Sequence, residues 1–338
     1  MSLLDNASIV WPLGAQTKAG NLAAWNPQTK STVPFDVVRA TPKQRINEAS
    51  EWEEVAANVL ARDFTNGGCG DFTIDPERKF LFLNSATGVT QDITVVSGRD
   101  YAVSFSGTGS ITFSVGATGT LTGSGATALD RVSSIVTTTG TSVTCTVSGT
   151  VQYVNIEINT NNSSVAYPTS WMKTLGSIVT RNADVPSLTG ASALLGDSEG
   201  GLYFEACFFD VSQDAFISFS DGTFSNRYTL GVNGPTQRYR FITNAAAVLT
   251  SDISPSSPSP VNNVFFKVLA SYSVNNFSLC VGGSVVGTDT SGAVVADGVL
   301  NQIVFNNGAG GSIFYGRIKE LVAFNQRPTD TQGEALTA

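Results

Sequence analysis

The chain has 338 residues, of which 14% are charged and 33 are glycine, and this composition, with its abundant Ser, Thr and Val, predicts an all-β protein whose strands are joined by tight turns. The net charge of −8 and the pI near 4.6 exclude a nucleic-acid-binding or anionic-membrane surface, because phosphate groups are bound by clustered Lys and Arg. Histidine is absent, which excludes Ser-His-Asp and Cys-His catalysis and the common zinc sites.

The cysteines lie far apart and form no CxxC pair: Cys69, Cys145, Cys207 and Cys280. We therefore expect free thiols, buried as small hydrophobic groups in a chain that folds in a reducing cytosol. Residues 1–5 have no cationic start and no apolar core, so we expect no signal peptide. No apolar run approaches the length of a membrane helix, and we expect no membrane insertion.

Residues 1–32 are loosely patterned and contain two tryptophans, Trp11 and Trp25. Tryptophans near a terminus predict an anchoring arm that buries both rings on a neighbouring chain. The alternative is that these rings fold back on the segment that begins at Phe35. The sequence leaves both interpretations open.

Short extended pieces follow over residues 35–72, separated by turns at Thr41-Pro42 and Asn66-Gly67-Gly68. In order they carry Arg39-Ala40-Thr41, Gln44-Arg45-Ile46-Asn47, Glu53-Glu54-Val55-Ala56-Ala57-Asn58, and Ala61-Arg62-Asp63-Phe64 with Gly68-Cys69-Gly70. This order resembles the module of virion fibre and head-spike proteins of tailed bacteriophages, with departures at Lys43-Gln44 and Gly70. The resemblance implies a part in virion architecture and no catalytic role.

Residues 79–170 predict a small antiparallel β-sandwich. Period-two alternation marks strands at 91–96, 101–106, 110–115, 131–137, 142–147 and 151–158. Glycines interrupt them every eight to twelve residues or so, the spacing typical of a sandwich. This segment resembles the sandwich inserts of phage fibres, which share a fold with carbohydrate-binding modules.

A connector is predicted over residues 171–200. Tyr167-Pro168-Thr169, followed by Gly176-Ser177-Ile178-Val179-Thr180-Arg181-Asn182-Ala183-Asp184, resembles the joint that leads into a lectin-like sandwich in the same fibre proteins. The predicted division of the chain is therefore an N-terminal attachment module at 1–78, a first sandwich at 79–170, the connector at 171–200 and a second sandwich at 201–338.

The second sandwich shows alternation at 201–209, 215–220, 227–230 and 238–241, a Pro-rich exposed loop at 254–260, and strands at 264–272, 276–281, 284–286 and 316–325. Thr329 is predicted to cap one short helix that runs to about Leu336. The segment resembles laminin-G-like and concanavalin-like domains through Lys267, Ser271-Tyr272, Leu279, Gly283, Gly316, Ile318, Glu320-Leu321 and Phe324-Asn325.

Sugar binding needs aromatic faces beside planar amide or carboxylate groups. The sequence offers rings at Trp171, Tyr228 and Tyr239, and polar partners at Asp221, Asn226 and Asn307. The alternative for the rings is a place in the core, because they alternate with polar residues. Lectin-like sandwiches also bind calcium through loop oxygens, in this chain those of Asp221, Asn226, Asn306 and Asn307, but no D-x-D-x-D-G loop is present.

In a chain without histidine, carboxylates are the remaining candidates for catalytic groups. A glycosidase needs only two of them, held at a set separation. A group of them surrounds the first strand of the second sandwich: Asp197, Glu199, Glu205, Asp210 and Asp214. A sheet edge solvated by scattered carboxylates gives the same pattern, and we expect no enzyme.

We therefore expect a bacteriophage virion protein, a surface fibre or spike with a tail fibre favoured over a head fibre. It would be made in the host cytoplasm, reside on the particle surface and mediate adhesion to a host carbohydrate. The resemblance implies a homotrimer that contacts other tail or capsid proteins. The alternatives are a capsid decoration protein without a host ligand and a virion-associated polysaccharide depolymerase.

The anchor is predicted within residues 1–72, through Trp11, Trp25, Phe35, Arg45 and Trp52. This region mixes apolar and charged residues without the alternation of a self-contained sandwich. Glu48, Glu51, Glu53 and Glu54 near Lys43 and Arg45 are typical of an interface with a polar rim.

Overall fold

The computed structural model describes residues 7–11 and 23–338. They fall into two compact units: a central unit of residues 38–184, and a terminal unit that joins residues 7–11 and 23–37 to residues 185–338. Within the described residues the chain is all β apart from one α-helix and a short 3₁₀ helix, which confirms the predicted fold class. No helix of this described part is long and apolar enough to cross a membrane.

Strands follow one another along both described segments of the chain. The first four are β1 Ala7–Trp11, β2 Ala23–Asn26, β3 Ser31–Pro34 and β4 Asp36–Val38. The central unit contains β5 Lys43–Ile46, β6 Trp52–Val55, β7 Ala61–Asp63, β8 Asp71–Ile74, β9 Arg78–Phe80, β10 Gln91–Thr94, β11 Asp100–Ser106, β12 Ser110–Ser114, β13 Gly119–Thr122, β14 Val132–Thr137, β15 Ser142–Ser148, β16 Gln152–Ile158 and β17 Val179–Arg181, with a 3₁₀ helix at Ala128–Asp130. The remaining elements are β18 Val185–Thr189, β19 Glu199–Phe208, β20 Ala215–Ser220, β21 Arg227–Asn233, β22 Arg238–Ala245, β23 Val248–Ile253, β24 Phe266–Ser273, β25 Asn276–Val281, β26 Ser284–Asp289, β27 Gln302–Val304, β28 Gly316–Phe324 and the helix α1 Asp330–Thr337.

The central unit contains the predicted first sandwich. One sheet has the order β14-β11-β16-β9-β17 and the other has the order β10-β15-β12-β13. Alternation places one face of each strand inside: in β12, Ile111 and Phe113 are buried while Thr112 and Ser114 are exposed. Two short hairpins, β5–β6 and β7–β8, complete the unit.

Five fully buried charged residues form an ionic network in the central unit: Arg39, Lys43, Asp75, Arg181 and Asp184. Lys43 Nζ lies 2.6 Å from Asp184 Oδ2 and 3.0 Å from Asp75 Oδ2, and Arg39 pairs with the other oxygen of Asp184. Arg181 lies 3.8 Å from Asp75. Because the carboxylates of Asp75 and Asp184 share the same lysine, the network ties together segments more than 100 residues apart in the chain.

Main-chain groups supply further partners to this network, and Nε of Arg181 is buried without a hydrogen-bond partner. Lys43 Nζ also donates to the carbonyl of Thr73 at 2.8 Å, and the amide of Asp75 donates to Asp184 at 2.8 Å. Burial alone would raise the pKa of Asp75, but the charges of Arg181 and Lys43 outweigh it and hold the pKa far below its usual range. The segments around Arg39 and Asp184 therefore meet in a buried cluster of charges.

The terminal unit is a second, larger sandwich. Its strands run in the order β26-β25-β24-β19-β28-β1-β2-β3 in one sheet and β23-β22-β21-β20-β27-β18-β4 in the other. Aromatic rings fill the space between the sheets: Tyr228 of β21 stacks on Tyr272 of β24 with 3.7 Å between ring centroids, and Tyr239 packs on Phe266 at 4.9 Å. This interior is the core of the second sandwich that the sequence predicts.

Helix α1 covers the opposite face of the first of these sheets. Leu336 packs against a buried cluster that includes Tyr203, Leu269 and Cys280. The helix approaches strand β25 closely at Gly333, where an added Cβ would lie 2.7 Å from Cys280 Sγ. Its N-cap is Thr329, whose hydroxyl accepts from the amide of Gln332, as the sequence predicts.

None of the four cysteines forms a disulfide bond, as expected from their spacing. Three are buried, and burial raises the pKa of Cys145 to about 12 and that of Cys280 to about 11. The expectation of burial is wrong for Cys69, which is exposed because it lies in the turn between β7 and β8.

Candidate functional site

A pocket of about 390 Å³ opens on the terminal unit at the start of strand β24. Its walls include Tyr239, Phe265 and Phe266, and its polar lining includes Glu205 and Lys267. The volume lies within the range of about 300–1,000 Å³ that is usual for small-molecule sites. Aromatic walls beside two charged groups give the pocket both an apolar face and groups that can orient a ligand.

The aromatic walls are fixed by their packing. Phe266 is the first residue of β24 and stacks on Phe208 of β19 with ring centroids 5.2 Å apart. It also contacts Tyr239 of β22 at 4.9 Å, so the two walls are built on opposite sheets. Phe265 precedes the strand, and Lys319 Nζ lies 4.1 Å from the centre of its ring. A site supported by strands in this way needs little rearrangement on binding.

The charged side chains that line the pocket come from two neighbouring strands, β19 and β24. Glu205 of β19 stands opposite Lys267 of β24 and also opposite Glu320 of β28. Glu205 Oε1 accepts from Lys319 Nζ at 2.9 Å, and Lys267 Nζ donates to the carbonyl of Ala338 at 2.5 Å. The carboxylate and the ammonium group at the pocket therefore each have one partner from the protein.

Burial raises the pKa of two groups at or near the pocket. It raises the pKa of the Tyr239 phenol further above its ordinary value of 10.0. Burial, followed by the charge of Glu205, raises the pKa of Glu320. Two carboxylates opposite each other in an antiparallel pair repel, and this repulsion is the second cause of that shift.

Three of the residues predicted to bind sugar meet at a different place, a loop cluster at one end of the seven-stranded sheet. Asp221 accepts from Asn226 Nδ2 at 2.8 Å, and Asn226 Oδ1 accepts from the amide of Ala246 at 2.9 Å. Asn307 is linked to them through Arg227, which donates to its carbonyl oxygen at 2.5 Å. The side-chain oxygens of this cluster thus hold the loops that carry them.

The loop cluster also carries the exposed ring of Phe224, with the Arg227 guanidinium 4.6 Å from its centre. Burial favours the neutral form of Asp221, but hydrogen bonds from Asn226 and Thr223 outweigh it and lower its pKa. Since these bonds already occupy both carboxylate oxygens, we assign the loop cluster a structural role and place the candidate site in the pocket.

The two tyrosines predicted to offer faces have different positions. Tyr228 is in the core, where its hydroxyl donates to the carbonyl of Asp197 and accepts from the amide of Val295 at 2.9 Å. Tyr239 lines the pocket. Trp171 is buried in the central unit, with its ring 4.9 Å from Tyr153 and 5.6 Å from Trp52.

The side-chain oxygens predicted as possible calcium ligands accept hydrogen bonds, mostly from main-chain amides. Asn306 Oδ1 accepts from the amide of Gly308 at 2.8 Å, and Asn307 Oδ1 accepts from that of Gly311 at 3.0 Å. Both carboxylate oxygens of Asp221 are occupied by Thr223 and Asn226. In the described part of the chain, no group of three or more acidic or Cys side chains is arranged to hold a metal ion. These residues do not fit a calcium site.

The aspartates considered for catalysis also accept hydrogen bonds from main-chain amides, and these bonds stabilise loops. Asp197 accepts from the amides of Gly298 at 2.6 Å and Leu300 at 2.8 Å, and burial raises its pKa. Asp210 accepts from the amide of Ser212, and Asp214 from that of Gly234. Of this predicted group, Glu205 alone lines the pocket.

The residues predicted to anchor the chain lie in both units. Phe35 is buried with its ring 6.4 Å from Phe305, Arg45 pairs with Glu53 at 2.6 Å, and Trp52 is half-buried against Trp171. Strands β1 and β2 contain Trp11 and Trp25, but their side chains lie outside what the structure describes. The anchoring role stays a prediction.

Phe265, Phe266 and Lys267 line the pocket, and the sequence analysis does not identify them as binding residues. The apolar run at 264–272 is typical of a strand and predicts that the strand begins at Val264. The structure starts β24 at Phe266, which leaves Phe265 in the preceding loop. The Pro-rich segment just before it is the signal that could have indicated this, because such a segment keeps its neighbours out of the sheet.

Solved structures with similar backbones are β-sandwich proteins or contain such a domain. The carbohydrate-binding module CBM40 of the Ruminococcus gnavus IT-sialidase, bound to α2,3 sialyllactose, is 13% identical with a TM-score of 0.37, over 44% of this chain and 87% of that one. A SAP-like pentraxin from Limulus polyphemus is 12% identical with a TM-score of 0.34, over 42% and 70%. The NanB sialidase from Streptococcus pneumoniae is 15% identical with a TM-score of 0.37, over 45% of this chain and 26% of its own.

No family model and no curated protein matches the chain. The structural similarities each cover less than half of this chain.

Proposed function

We propose that the chain is a non-enzymatic glycan-binding protein whose terminal unit holds carbohydrate in the pocket between Phe265, Phe266 and Tyr239. The pocket itself is the observation that supports this proposal. A pyranose ring presents apolar C–H groups on its faces and hydroxyl groups at its edge, so it needs an aromatic wall and polar groups beside it. Glu205 and Lys267 lie on the polar side of the walls.

The proposal extends to the setting in which the protein works. The motifs of residues 39–64 and 167–184 resemble those of phage fibres, and on that resemblance we assign the chain to the surface of a bacteriophage virion. A tail fibre is favoured over a head fibre. The chain would form a homotrimer, bind other virion proteins through its N-terminal region and present the pocket to a host glycan.

Glycan binding is tested by calorimetric titration of the full chain with oligosaccharides selected on a glycan array. Phe265→Ala should lower the affinity about tenfold, since an aromatic anchor in a pocket contributes on the order of 1–2 kcal/mol. Val264→Ala is the matched control, because Val264 is exposed beside Phe265 but does not line the pocket. Equal losses in both variants, or no loss in either, would place the binding site elsewhere.

The setting is tested separately by immunogold labelling of intact virions with antibodies raised against the terminal unit. Label on tails supports a tail fibre, and label on heads corrects the location. An absence of label from purified particles overturns the assignment to a virion. Release of reducing ends from a bound polysaccharide would show that the protein is a depolymerase.

A further inference from the structure

Three aromatic residues meet in the central unit, outside the core of its sandwich: Trp52 of β6, Tyr153 of β16 and Trp171. We call them the aromatic cluster. Their ring centroids lie 4.9–6.0 Å apart, and the ring planes are tilted by 50–75° to one another. Trp171 is buried, but Trp52 and Tyr153 are half-buried and so remain accessible in part. The cluster therefore presents aromatic surface that a ligand can reach.

Tyr153 joins the aromatic cluster through an irregularity in β16. Ser104 of β11 faces Asn155 of β16. Two positions further along β11, Ser106 faces Gln152, so β16 has one extra residue at this point, a β-bulge. Tyr153 lies in the bulge with a φ of +55°, a left-handed conformation that is unfavourable for a bulky side chain. β-Bulges often lie next to active sites, where they redirect a side chain, and backbone strain is likewise concentrated at functional sites.

The aromatic cluster also contains donors that its own packing leaves unpaired. Within the described part of the chain, the indole nitrogens of Trp52 and Trp171 are buried without a hydrogen-bond partner, whereas a buried Trp N–H usually has one. The guanidinium of Arg131 lies 5.8 Å from the centre of the Trp52 ring and donates to the hydroxyl of Ser104. Unpaired donors and a strained backbone both lower stability, so packing alone does not account for the arrangement.

The bulge brings an amide group to the same face of the sheet as the rings. Phe105 and Val154 belong to the sandwich core. Because side chains alternate along a strand, Ser106 and Tyr153 lie on the outer face. Gln152 is paired with Ser106 and therefore shares that face. Gln152 is half-buried, and its side-chain amide makes no hydrogen bond to the described residues, so the amide is available to a ligand beside the Tyr153 ring.

We propose that the aromatic cluster is a second carbohydrate site, separate from the pocket of the terminal unit. A sugar ring would lie with its C–H face against the accessible parts of Trp52 and Tyr153, and its hydroxyl edge would meet the amide of Gln152. A planar amide both donates and accepts, which suits a pair of adjacent hydroxyl groups. The site does not depend on the pocket, because its residues all belong to the central unit.

The test follows the four tryptophans of the full chain by ¹⁹F NMR after labelling with 5-fluorotryptophan. Trp52→Phe and Trp171→Phe assign the two resonances of the aromatic cluster. The probes are uncharged disaccharides of glucose, galactose, mannose and N-acetylglucosamine, each titrated to about 10 mM so that weak binding is detected. At least one probe should shift the Trp52 and Trp171 resonances saturably. The absence of a shift with every probe overturns the proposal.

Two variants then test the contacts. Gln152→Ala should leave the thermal unfolding midpoint unchanged and lower the affinity for the probe about fivefold, the size expected for one lost hydrogen bond. Gln213→Ala, at an exposed glutamine of the terminal unit, is the matched control and should change neither quantity. Trp52→Ala should lower the affinity at least about tenfold, as expected for an aromatic anchor. An affinity that is unchanged in Gln152→Ala overturns the site as assigned, even if Trp52→Ala fails to fold.

The outcomes separate this site from the pocket. Phe265→Ala should leave the shift at Trp52 unchanged, and its loss in that variant would mean that the aromatic cluster is not an independent site. If the shift at Trp52 survives while no binding depends on Phe265, the proposed pocket fails and the second site stands. A shift of the Trp52 resonance by a proline-rich peptide and by no sugar would assign the cluster to peptide binding and overturn the proposal.

Discussion

The two units use the same chemical groups for different purposes. In the central unit, a lysine and two arginines are paired with two aspartates, and all five side chains are shielded from water. In the terminal unit, Lys319 is paired with Glu205, and both side chains remain partly exposed beside the pocket. Burial therefore separates a cluster of charges that holds the fold from one that remains available to a ligand.

The energetic consequences of the two arrangements differ. A buried pair costs several kcal/mol of desolvation for each ion, which is recovered only if every partner is in place. The amide of Asp75 and the carbonyl of Thr73 supply main-chain partners to the ionic network. An exposed pair contributes about 0–1 kcal/mol and can exchange its partner for a ligand at little cost. Mutations in the two clusters should therefore have effects of very different size.

The largest effect is expected from Asp184→Asn. This change leaves Arg39 and Lys43 buried with their shared anionic partner removed, and loss of one partner from a buried pair costs about 3–5 kcal/mol. Glu53→Gln, which breaks the exposed pair with Arg45, should cost less than about 1 kcal/mol. Hydrogen-exchange mass spectrometry over the strands of the central unit measures both, and similar costs would contradict the comparison.

The second-largest effect on stability is expected at acid pH, at Asp75. The pKa of Asp75 is lowered in the folded state, so its contribution to stability is complete above the ordinary value of 3.8 and is lost as the pH falls below it toward the folded-state pKa. The difference in unfolding free energy between the wild type and Asp75→Asn should be constant from pH 7 to about pH 4. Below that pH the difference should become smaller, and urea titrations at each pH measure it. A difference that stays constant down to about pH 2 would show that folding does not lower the pKa of Asp75.

Local patterns account for the parts of the fold that the sequence predicted. The strands at Ala215–Ser220 and Asn276–Val281 and the cap at Thr329 agree with the structure because alternation and capping depend on neighbouring residues. Arg39 and Asp184 are 145 positions apart, so their pairing depends on the tertiary fold. The sequence motifs that contain these two positions assign no role to either residue.

The candidate site was less predictable than the fold. Its walls come from β19, β22, the start of β24 and the loop before β24, and no local pattern shows that these segments converge. The sequence points to Tyr239 and Glu205 for separate reasons, as a sugar platform and as a candidate acid. Asp221, Asn226 and Asn307 do converge, but polar loop residues often hold their own turns, and in this chain they do.

A smaller effect, with the opposite dependence on pH, is expected at Glu320. Its pKa is raised in the folded state, so ionisation opposes folding: stability is highest below the ordinary value of 4.5 and falls as the pH rises through the folded-state pKa. Glu320→Gln should match the wild type near about pH 4 and be more stable at about pH 8 by up to about 1 kcal/mol, the size of a cross-strand charge interaction. Urea titrations at the two pH values measure this, and a variant that is less stable than the wild type under the alkaline condition would contradict it.

The smallest effect on stability is expected at Lys319, where the comparison between the units is most direct. Lys319→Met removes a cation 4.1 Å from the Phe265 ring centre and the partner of Glu205 at 2.9 Å. Both contacts are partly exposed, so the unfolding free energy should fall by less than about 1 kcal/mol. Because Lys319 positions two residues of the pocket wall without lining the pocket, the affinity for a neutral sugar should nevertheless fall severalfold. Lys319→Arg, which retains the cation, should restore most of the affinity. A loss of stability as large as that of Asp184→Asn, with no change in sugar affinity, would mean that this exposed pair holds the fold as the ionic network does.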